Sequence, residues 1–360
     1  MQQDTGYPED EVFSFRVLTF GNDVDLVQRT ELDEDMLRSI PGVIDAGFFQ
    51  EVPLSGSGSA SGFGIVSADQ VTDEQQQSTR AAYTFADHHA INTLGVNLIA
   101  GRNFNPDEVV VSQSFDKVPN VAIVSQAFID DLFGEGEGMG ETVYLGSYPL
   151  KIIGVVEKMM GPWLKDSAAE NFVIIPLVQA AVYQKFVVRT SADERTAVMR
   201  QIEDLMLDAY DQRVINNIDG MDIAKEDYNA SDVLMLRMLL VLIVVLLLIT
   251  ALGIFGLTVF NINKRTKQIG TRRALGARKS AIVRYFLVEN TFICAAGLIV
   301  GCAGAIYLGN LLLEEYSLPA LDNRYVIATA IGVFVTSVLS VLIPANRAAN
   351  ISPSVATRSI

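Results

Sequence analysis

Two pairs of residues have side chains that could bind a metal or take part in catalysis. His88 and His89 are the only histidines, and Cys294 and Cys302 are the only cysteines. The cysteines lie eight residues apart in an apolar run, which is the spacing of neither a zinc site nor a disulfide framework, so we interpret them as packing residues. Adjacent histidines could bind a metal, but the sequence favours a polar pair on a loop. We therefore predict no metal site and no cofactor.

Two glycine-rich stretches could bind phosphate, but neither has the required pattern. GSGSASGFG (56–64) lacks the GxGxxG spacing and is not followed by a helical pattern, so we predict a mobile surface loop. GEGEGMG (134–140) carries two glutamates, which would repel phosphate. The chain also shows no convincing set of nucleophile, base and acid. We therefore predict no catalytic residues and no nucleotide site in this chain, which is not expected to be an enzyme.

The positive charge of the chain is concentrated in one short segment. The whole chain has a formal charge of −15, with a net −22 in residues 1–230 and a net +7 in residues 231–360. Eight lysines and arginines and no acid lie between Lys264 and Arg284. Such a segment could orient a cytoplasmic loop, bind lipid headgroups, or dock on a cytoplasmic protein. Nucleic acid is not an expected partner, because no aromatic residues alternate with the charges.

Three long apolar runs flank this segment and predict membrane-spanning helices. They cover residues 233–260, 282–313 and 325–343, and about 20 apolar residues are enough to cross the hydrocarbon core. Pro344 follows the third run, and we predict that it ends the helix. The result is an all-α transmembrane domain of three helices.

The loop charges predict the orientation of these helices. Lys and Arg favour the cytoplasmic side, so the basic segment and the C-terminus are predicted inside. The acidic loop 314–324 is predicted outside. Residues 1–230 are then extracytoplasmic, although neither a signal peptide nor a span is visible before them.

Small residues recur every four positions in the second predicted span, at Gly297, Gly301, Ala305 and Gly309. A stripe of this kind lets two helices approach closely. We predict a helix-packing seam here, within the protomer or between protomers, and not a substrate site.

The extracytoplasmic part predicts an α+β domain. Residues 13–52 have the pattern of a strand, a helix and a strand, and the same order returns at residues 185–223. These two βαβ units would form a split core around an insert at roughly 54–145, which makes a second lobe. A hairpin is predicted at residues 142–159, with its turn at Gly146 and Ser147.

Several stretches resemble one known family. RTKQIGTRRALGARKSAIVRYFLVEN resembles the signature of FtsX-like permeases, in particular the MacB-type ABC transporter permeases. PANRAANISPSVATRSI resembles the ending that follows their last span. SIPGVIDAGFFQEVPLSG, INTLGVNLIAGRNF, VAIVSQAFIDDLFG and LKIIGVVEKM resemble landmarks of the MacB-like periplasmic core domain, in the expected order. The resemblance covers nearly the whole chain, and the basic segment is its most specific part.

This resemblance implies a multi-pass protein of the bacterial inner (plasma) membrane. Residues 1–230 would be a MacB-like periplasmic domain, residues 231–360 an FtsX-like permease domain, and the C-terminus cytoplasmic. The family has a further span before the periplasmic domain, so the sequence resembles a member without its first span.

The resemblance also implies partners. Two permeases, as a homodimer or a heterodimer of related chains, would pair with two cytoplasmic ABC ATPase subunits. Segment 264–280 would be the coupling helix seated on the ATPase. We expect its contacts from Ile269, Arg272, Arg273, Leu275 and Gly276. Membrane lipid and a periplasmic adaptor are further expected partners.

The function implied is mechanotransmission, in which closure of the ATPase dimer is transmitted to the periplasmic domain. The leading expectation is export of an antimicrobial peptide, a macrolide or a similar cargo. Three other roles within the resemblance stay open: activation of a cell-wall hydrolase, lipoprotein release, and sensing for a stress response.

Overall fold

The computed structural model describes residues 4–21, 24–70, 77–113, 117–134, 138–316 and 323–350, without the side chains of 312–316. The chain divides into two compact units, Met1–Ser231 and Asp232–Ile360. Most of the predicted acidic loop 314–324 and the tail after residue 350 lie outside the described residues.

Strands and short helices make up the first unit, and long helices make up the second. In chain order the elements are β1 (Val12–Thr19), α1 (Leu26–Ser39), β2 (Val43–Phe48), β3 (Ser59–Gly64), β4 (Ser78–Ala86), α2 (Ala90–Leu94), β5 (Leu98–Gly101), a 3₁₀ turn (Pro106–Glu108), β6 (Val110–Ser112), β7 (Val121–Ser125), α3 (Gln126–Phe133), β8 (Thr142–Leu145), β9 (Tyr148–Val156), β10 (Phe172–Gln179), β11 (Tyr183–Thr190), α4 (Arg195–Ala209), β12 (Arg213–Gly220), α5 (Met221–Lys264), α6 (Thr266–Ala274), α7 (Lys279–Tyr316) and α8 (Asn323–Ala349).

The first sheet is an antiparallel sheet in the order β12-β1-β11-β2. The units β1-α1-β2 and β11-α4-β12 interlock in it, which is the split βαβ arrangement. Alternate residues of β1 are buried, and stacked rings of Phe13, Phe15 and Phe186 fill the core with Leu37 and Ile202 from the two helices. Alternation of this kind is what folds these segments as strands with one face on the core.

The second sheet has eight strands and is inserted between β2 and β11. Its order is β4-β3-β8-β9-β7-β10-β6, and β5 pairs with β9. The hairpin predicted around Gly146 is confirmed: β8 and β9 pair antiparallel, and Gly146 has φ +63°. The predicted insert of roughly 54–145 ends before β9 and β10, although both strands belong to this sheet. The inserted sheet therefore extends to Gln179, the last residue of β10, because the second strand of the hairpin, β9, also belongs to it.

The glycine-rich stretch 56–64 is mostly strand, so the prediction of a mobile loop was wrong. Its residues from 59 onward form β3, which pairs with β4. Two glycines just before β3 are closely packed: a Cβ on Gly58 would lie 2.3 Å from Cγ of Pro162. Gly56 has φ +72°, and a Cβ there would lie 2.7 Å from the ring of Tyr228. Within the other glycine-rich stretch, 135–137 lie outside the described residues.

A buried ion pair joins α1 to β12. Nη1 of Arg213 lies 2.8 Å from Oδ2 of Asp33, and the two side chains are 0% and 1% exposed. Arg29 contacts the other carboxylate oxygen of Asp33 at 2.6 Å. Removing one partner of such a pair leaves an uncompensated charge in the core. The loss in the free energy of unfolding is then larger than the stabilisation that the pair itself provides.

The three helices of the second unit are each long and apolar enough to cross a membrane. The predicted spans 233–260, 282–313 and 325–343 lie within α5, α7 and α8. These helices expose Leu, Ile and Val side chains along most of their length, as lipid-facing helices do.

The prediction that Pro344 ends the last helix was wrong, because α8 continues through it to Ala349. Proline has no N–H, so the helical bond to the carbonyl four residues earlier is lost. Pro344 is nevertheless buried, as are Ala345 and Ala348 on the same face. Burial of this face against α5 and α7 offsets the lost bond.

We predict that Asp33→Ala destabilises the first unit by about 3–5 kcal/mol, since Arg213 keeps its charge without its partner. Trp163 is the only tryptophan and packs in the core of this unit, so its fluorescence during urea unfolding of the full chain reports on this unit. Asp35→Ala is the control on the same helix, because Asp35 is 76% exposed and should cost at most about 1 kcal/mol. Equal losses in the two variants would contradict the prediction.

Candidate functional site

The basic segment folds as a short helix, α6, between two helices of the second unit. It begins after Arg265, directly beyond α5, and ends at Ala274. Its N-terminal cap has no side-chain hydrogen bond and its first turn has no acid, so capping contributes little to its stability. The helix therefore depends on its contacts with the rest of the unit.

Ile269 supplies the main contact of α6. Its side chain is 6% exposed and belongs to one apolar cluster with Ile262 of α5, Ile282 and Phe286 of α7, and Val341 of α8. Fully burying a side chain of this size contributes about 1.5–3 kcal/mol. One isoleucine thus fixes the position of α6 against all three long helices.

The C-terminal end of α6 is closed by a glycine. Gly276 has φ +93°, and its N–H donates to the carbonyl of Arg273 at 3.1 Å. The N–H of Ala277 donates to the carbonyl of Arg272 at 3.0 Å. These two bonds form the Schellman motif, which favours glycine at the left-handed position. The role of Gly276 in the structure is therefore to turn the chain from α6 into α7.

Two arginines surround Tyr285 of α7. Nη1 of Arg265 donates to the Tyr285 hydroxyl at 2.7 Å and to Oε2 of Glu289 at 3.1 Å. The guanidinium of Arg272 lies 5.5 Å from the centre of the Tyr285 ring, within the range of a cation–π contact. Arg272 stays exposed while its position is restrained.

Arg273 and Leu275 point to different environments. Nη1 of Arg273 donates to the carbonyl of Ala277 at 3.0 Å, and Nε is buried without a hydrogen-bond partner. Leu275 is 83% exposed, more than any other large apolar side chain that the structure describes. An apolar side chain this exposed beside a restrained arginine has the composition of a protein-binding surface.

The five residues predicted to couple the chain to an ATPase therefore divide into two groups. Arg272 and Leu275 are exposed, whereas Ile269, Arg273 and Gly276 hold the helix and its turn in place. Their contact with an ATPase stays a prediction. Sequence reasoning missed Tyr285 and Glu289, although an acid inside a predicted span was a signal that could have identified Glu289.

We predict that Ile269→Ala loosens α6, because losing a buried isoleucine costs about 2–5 kcal/mol. Hydrogen exchange of the α6 backbone amides should speed up accordingly. Leu275→Ala is the matched control: its side chain is exposed, so the exchange rates should stay nearly unchanged. If the α6 amides are equally protected from exchange in the native chain and in Ile269→Ala, Ile269 does not anchor the helix.

The predicted helix-packing residues lie along an apolar cavity of about 620 Å³ between α5, α7 and α8. Gly297, Gly301 and Ala305 line it, and Gly309 does not. Among the described residues, a Cβ added at Gly297 or Gly301 would meet no atom within 4 Å. These glycines are thus not in close helix contact within the described part of the chain, and a seam between protomers stays a prediction.

The histidine pair lies beside buried acids of the first unit. His89 Nδ1 is 2.8 Å from Oδ1 of Asp45, and Asp87 is 2% exposed. Burial raises the pKa of Glu34 to about 7, although the nearby charge of Arg38 lowers it. Burial also raises the pKa of Asp87 well above its usual range. The predicted polar loop pair is therefore part of a larger charged cluster.

Comparison with known proteins identifies the family. Residues 18–205 match the model of the MacB-like periplasmic core domain, just over half of the chain, and residues 240–353 match that of the FtsX-like permease C-terminal domain. The chain belongs to the family of MacB-type and FtsX-like ABC transporter permeases. It is therefore a membrane protein with an extracytoplasmic segment.

Individual relatives agree with this assignment. The chain is 24% identical over 306 residues to the macrolide export ATP-binding/permease protein MacB of Chromobacterium violaceum, a match of 79% of this chain and 46% of that protein. It is 25% identical over 356 residues to the ABC transporter permease YknZ of Bacillus subtilis, a match of 94% of this chain and 85% of YknZ. The chain spans less than half the length of the MacB relatives it matches.

Solved structures also match the first part of the chain. The periplasmic region of MacB from Actinobacillus actinomycetemcomitans aligns with a TM-score of 0.36 and 16% identity, covering 59% of this chain and 91% of that structure. The extracellular domain of YknZ aligns with a TM-score of 0.35 and 16% identity, covering 57% of this chain and 100% of that structure.

Proposed function

We propose that this permease works with a separate cytoplasmic ABC ATPase and that the exposed face of α6 is where the ATPase docks. The observation that carries the proposal is the pairing of Leu275, 83% exposed, with the restrained guanidinium of Arg272. An apolar side chain supplies binding energy, and a fixed charge sets the register of the partner. ATP hydrolysis then belongs to the partner, and this chain carries no catalytic role.

The buried side of α6 supports the same proposal. Because Ile269 shares one buried apolar cluster with residues of α5, α7 and α8, a force on α6 would reach all three helices. The contact of Arg265 with Tyr285 and Glu289 adds a polar connection to α7. A loosely held loop would bind a partner without passing on its motion. The anchored helix is suited to mechanotransmission for this reason.

Helix α5 supplies the path toward the extracytoplasmic unit. Its 44 residues correspond to about 66 Å at 1.5 Å per residue, roughly twice the hydrocarbon core. Its first turns are held within the first unit: Arg195 contacts both carboxylate oxygens of Asp222 at 2.8 and 2.9 Å, and Lys225 contacts Glu9 at 2.7 Å. The helix ends at Lys264, directly before α6. The continuous helix supports transmission of motion from the docking site.

The names of two relatives support an export role. One matched relative is named a macrolide export protein and another, from Pseudomonas aeruginosa, a pyoverdine export protein. We propose that this chain likewise serves export, in the bacterial inner membrane, with residues 1–230 outside the cytoplasm and the C-terminus inside. An export role predicts a resistance or secretion phenotype on deletion. Activation of a cell-wall hydrolase would instead produce a division or lysis phenotype.

We predict that Leu275→Ser and Arg272→Glu each weaken binding of the ATPase by at least about tenfold, as loss of a central interface residue does. The full chain is purified in detergent, and its affinity for a candidate ABC ATPase subunit from the same organism is measured by co-purification and by titration. Membrane insertion is checked for every variant.

Lys267→Glu is the matched control, since Lys267 is exposed on the same helix, about 140° around it from Arg272. Its affinity should stay close to that of the native chain. If Lys267→Glu weakens binding as much as Arg272→Glu, the effect is one of total charge and the docking face is wrong. If the native chain does not bind the ATPase, the proposed partnership itself fails.

A further inference from the structure

Asp87, His88 and His89 bring together the donor set of a transition-metal site. One donor atom of each residue lies within 4.8 Å of the donor atoms of the other two. Two imidazoles and one carboxylate are ligands that zinc takes in proteins, with water at the remaining position. The three residues form the connection between β4 and α2, so one short stretch of backbone presents all of them.

Asp87 has one oxygen without a hydrogen-bond partner. Its Oδ1 accepts a bond from the backbone N–H of His89 at 2.9 Å. Its Oδ2 is buried and accepts none, although the side chain is only 3% exposed. Arg38 lies 3.8 Å from this oxygen, beyond hydrogen-bond distance, and its Nη1 donates instead to the carbonyl of Ala46 at 3.0 Å. A buried polar atom without a hydrogen-bond partner destabilises the folded state unless a ligand binds to it.

His89 is already oriented as metal-binding histidines are. In the neutral imidazole, the N–H at Nδ1 donates a hydrogen bond to Oδ1 of Asp45 at 2.8 Å, and the lone pair is then on Nε2. Asp45 is itself held by the N–H of Ala46 and the side-chain amide of Asn92, both at 2.9 Å. A carboxylate behind the histidine fixes its tautomer and ring in metal sites.

Buried carboxyl groups surround the site. Glu34, Asp45 and Asp87 are buried acids, and Arg38 lies within 3.8 Å of both Glu34 and Asp87. His89 is 27% exposed, so an ion can reach the site from solvent.

We propose that Asp87, His88 and His89 bind one divalent transition-metal ion, of which Zn²⁺ is the probe, and that Asp45 acts as a positioning residue. The site lies where the two sheets of the first unit meet: Ala86 bridges to Phe49, and a Cβ on Gly47 of β2 would lie 2.6 Å from Oδ1 of Asp87. A bound ion would order the segment that follows β4, and the contact of His89 with Asp45 joins this segment to β2.

Zinc binding to the full chain tests this proposal. The chain is purified in detergent without a polyhistidine tag, stripped with a chelator, and titrated with Zn²⁺ against a chromogenic chelator. We expect one zinc ion per chain, no competition from Mg²⁺, and a higher thermal midpoint with zinc. Asp87→Asn and His88→Gln should each weaken binding at least about 100-fold, and Asp45→Asn about 10–100-fold. Asp204→Asn, an exposed carboxylate on α4, should bind as the native chain does.

Two results would overturn the proposal. One is a native chain that retains no zinc at micromolar concentration. The other is native affinity in both Asp87→Asn and His88→Gln, which would place any bound zinc elsewhere. If Trp163 fluorescence shows that Asp87→Asn does not fold, the zinc affinity of His88→Gln alone decides the outcome. His88 is only partly buried, so replacing it should leave the fold intact.

Discussion

The burial of Ile269 is the contact on which the position of α6 depends. The helix that carries it is basic, uncapped at its N-terminus and nine residues long, so it has little stability of its own. The isoleucine packs against three long helices at once, and Arg265 adds a polar contact with Tyr285 and Glu289. Arg272, on a neighbouring position about 60° around the helix, and Leu275, at its C-terminal cap, stay exposed. The helix is therefore fixed to the chain through Ile269, while Arg272 and Leu275 are accessible to a partner.

The first unit contains two sheets, and buried charged side chains lie in both parts of it. The split βαβ sheet is closed by the buried pair of Asp33 and Arg213, and the inserted sheet packs beside it through the segment that follows β4. Buried charge occurs at both places. In the first, both carboxylate oxygens of Asp33 contact an arginine, at 2.6 and 2.8 Å. In the second, one carboxylate oxygen of Asp87 lacks a hydrogen-bond partner, and two histidines lie beside it.

Much of the architecture could be predicted because it depends on periodic patterns. Alternation in β1 and the long apolar runs of α5, α7 and α8 are local signals, and the structure has these elements at the predicted places. What failed depends on tertiary contacts. Pro344 does not end its helix because the surrounding face is buried, and Gly58 and Gly56 pack closely against Pro162 and Tyr228. The separation of Ile269 from Leu275 could not be predicted either, since both are apolar residues of one helix. His88 and His89 gave no sign of Asp45, which is more than 40 residues away.

The most direct test of the account is site-specific photo-cross-linking on α6 in the assembled complex. A photoreactive amino acid is placed at position 275 or, as the control, at position 267, and the chain is cross-linked in membranes that contain the ATPase. If the ATPase docks at Leu275 and Arg272, position 275 should give a strong cross-link to the ATPase and position 267 a much weaker one. A stronger cross-link from position 267, or cross-links from position 275 to lipid alone, would contradict the claim that the exposed face of α6 is the docking surface.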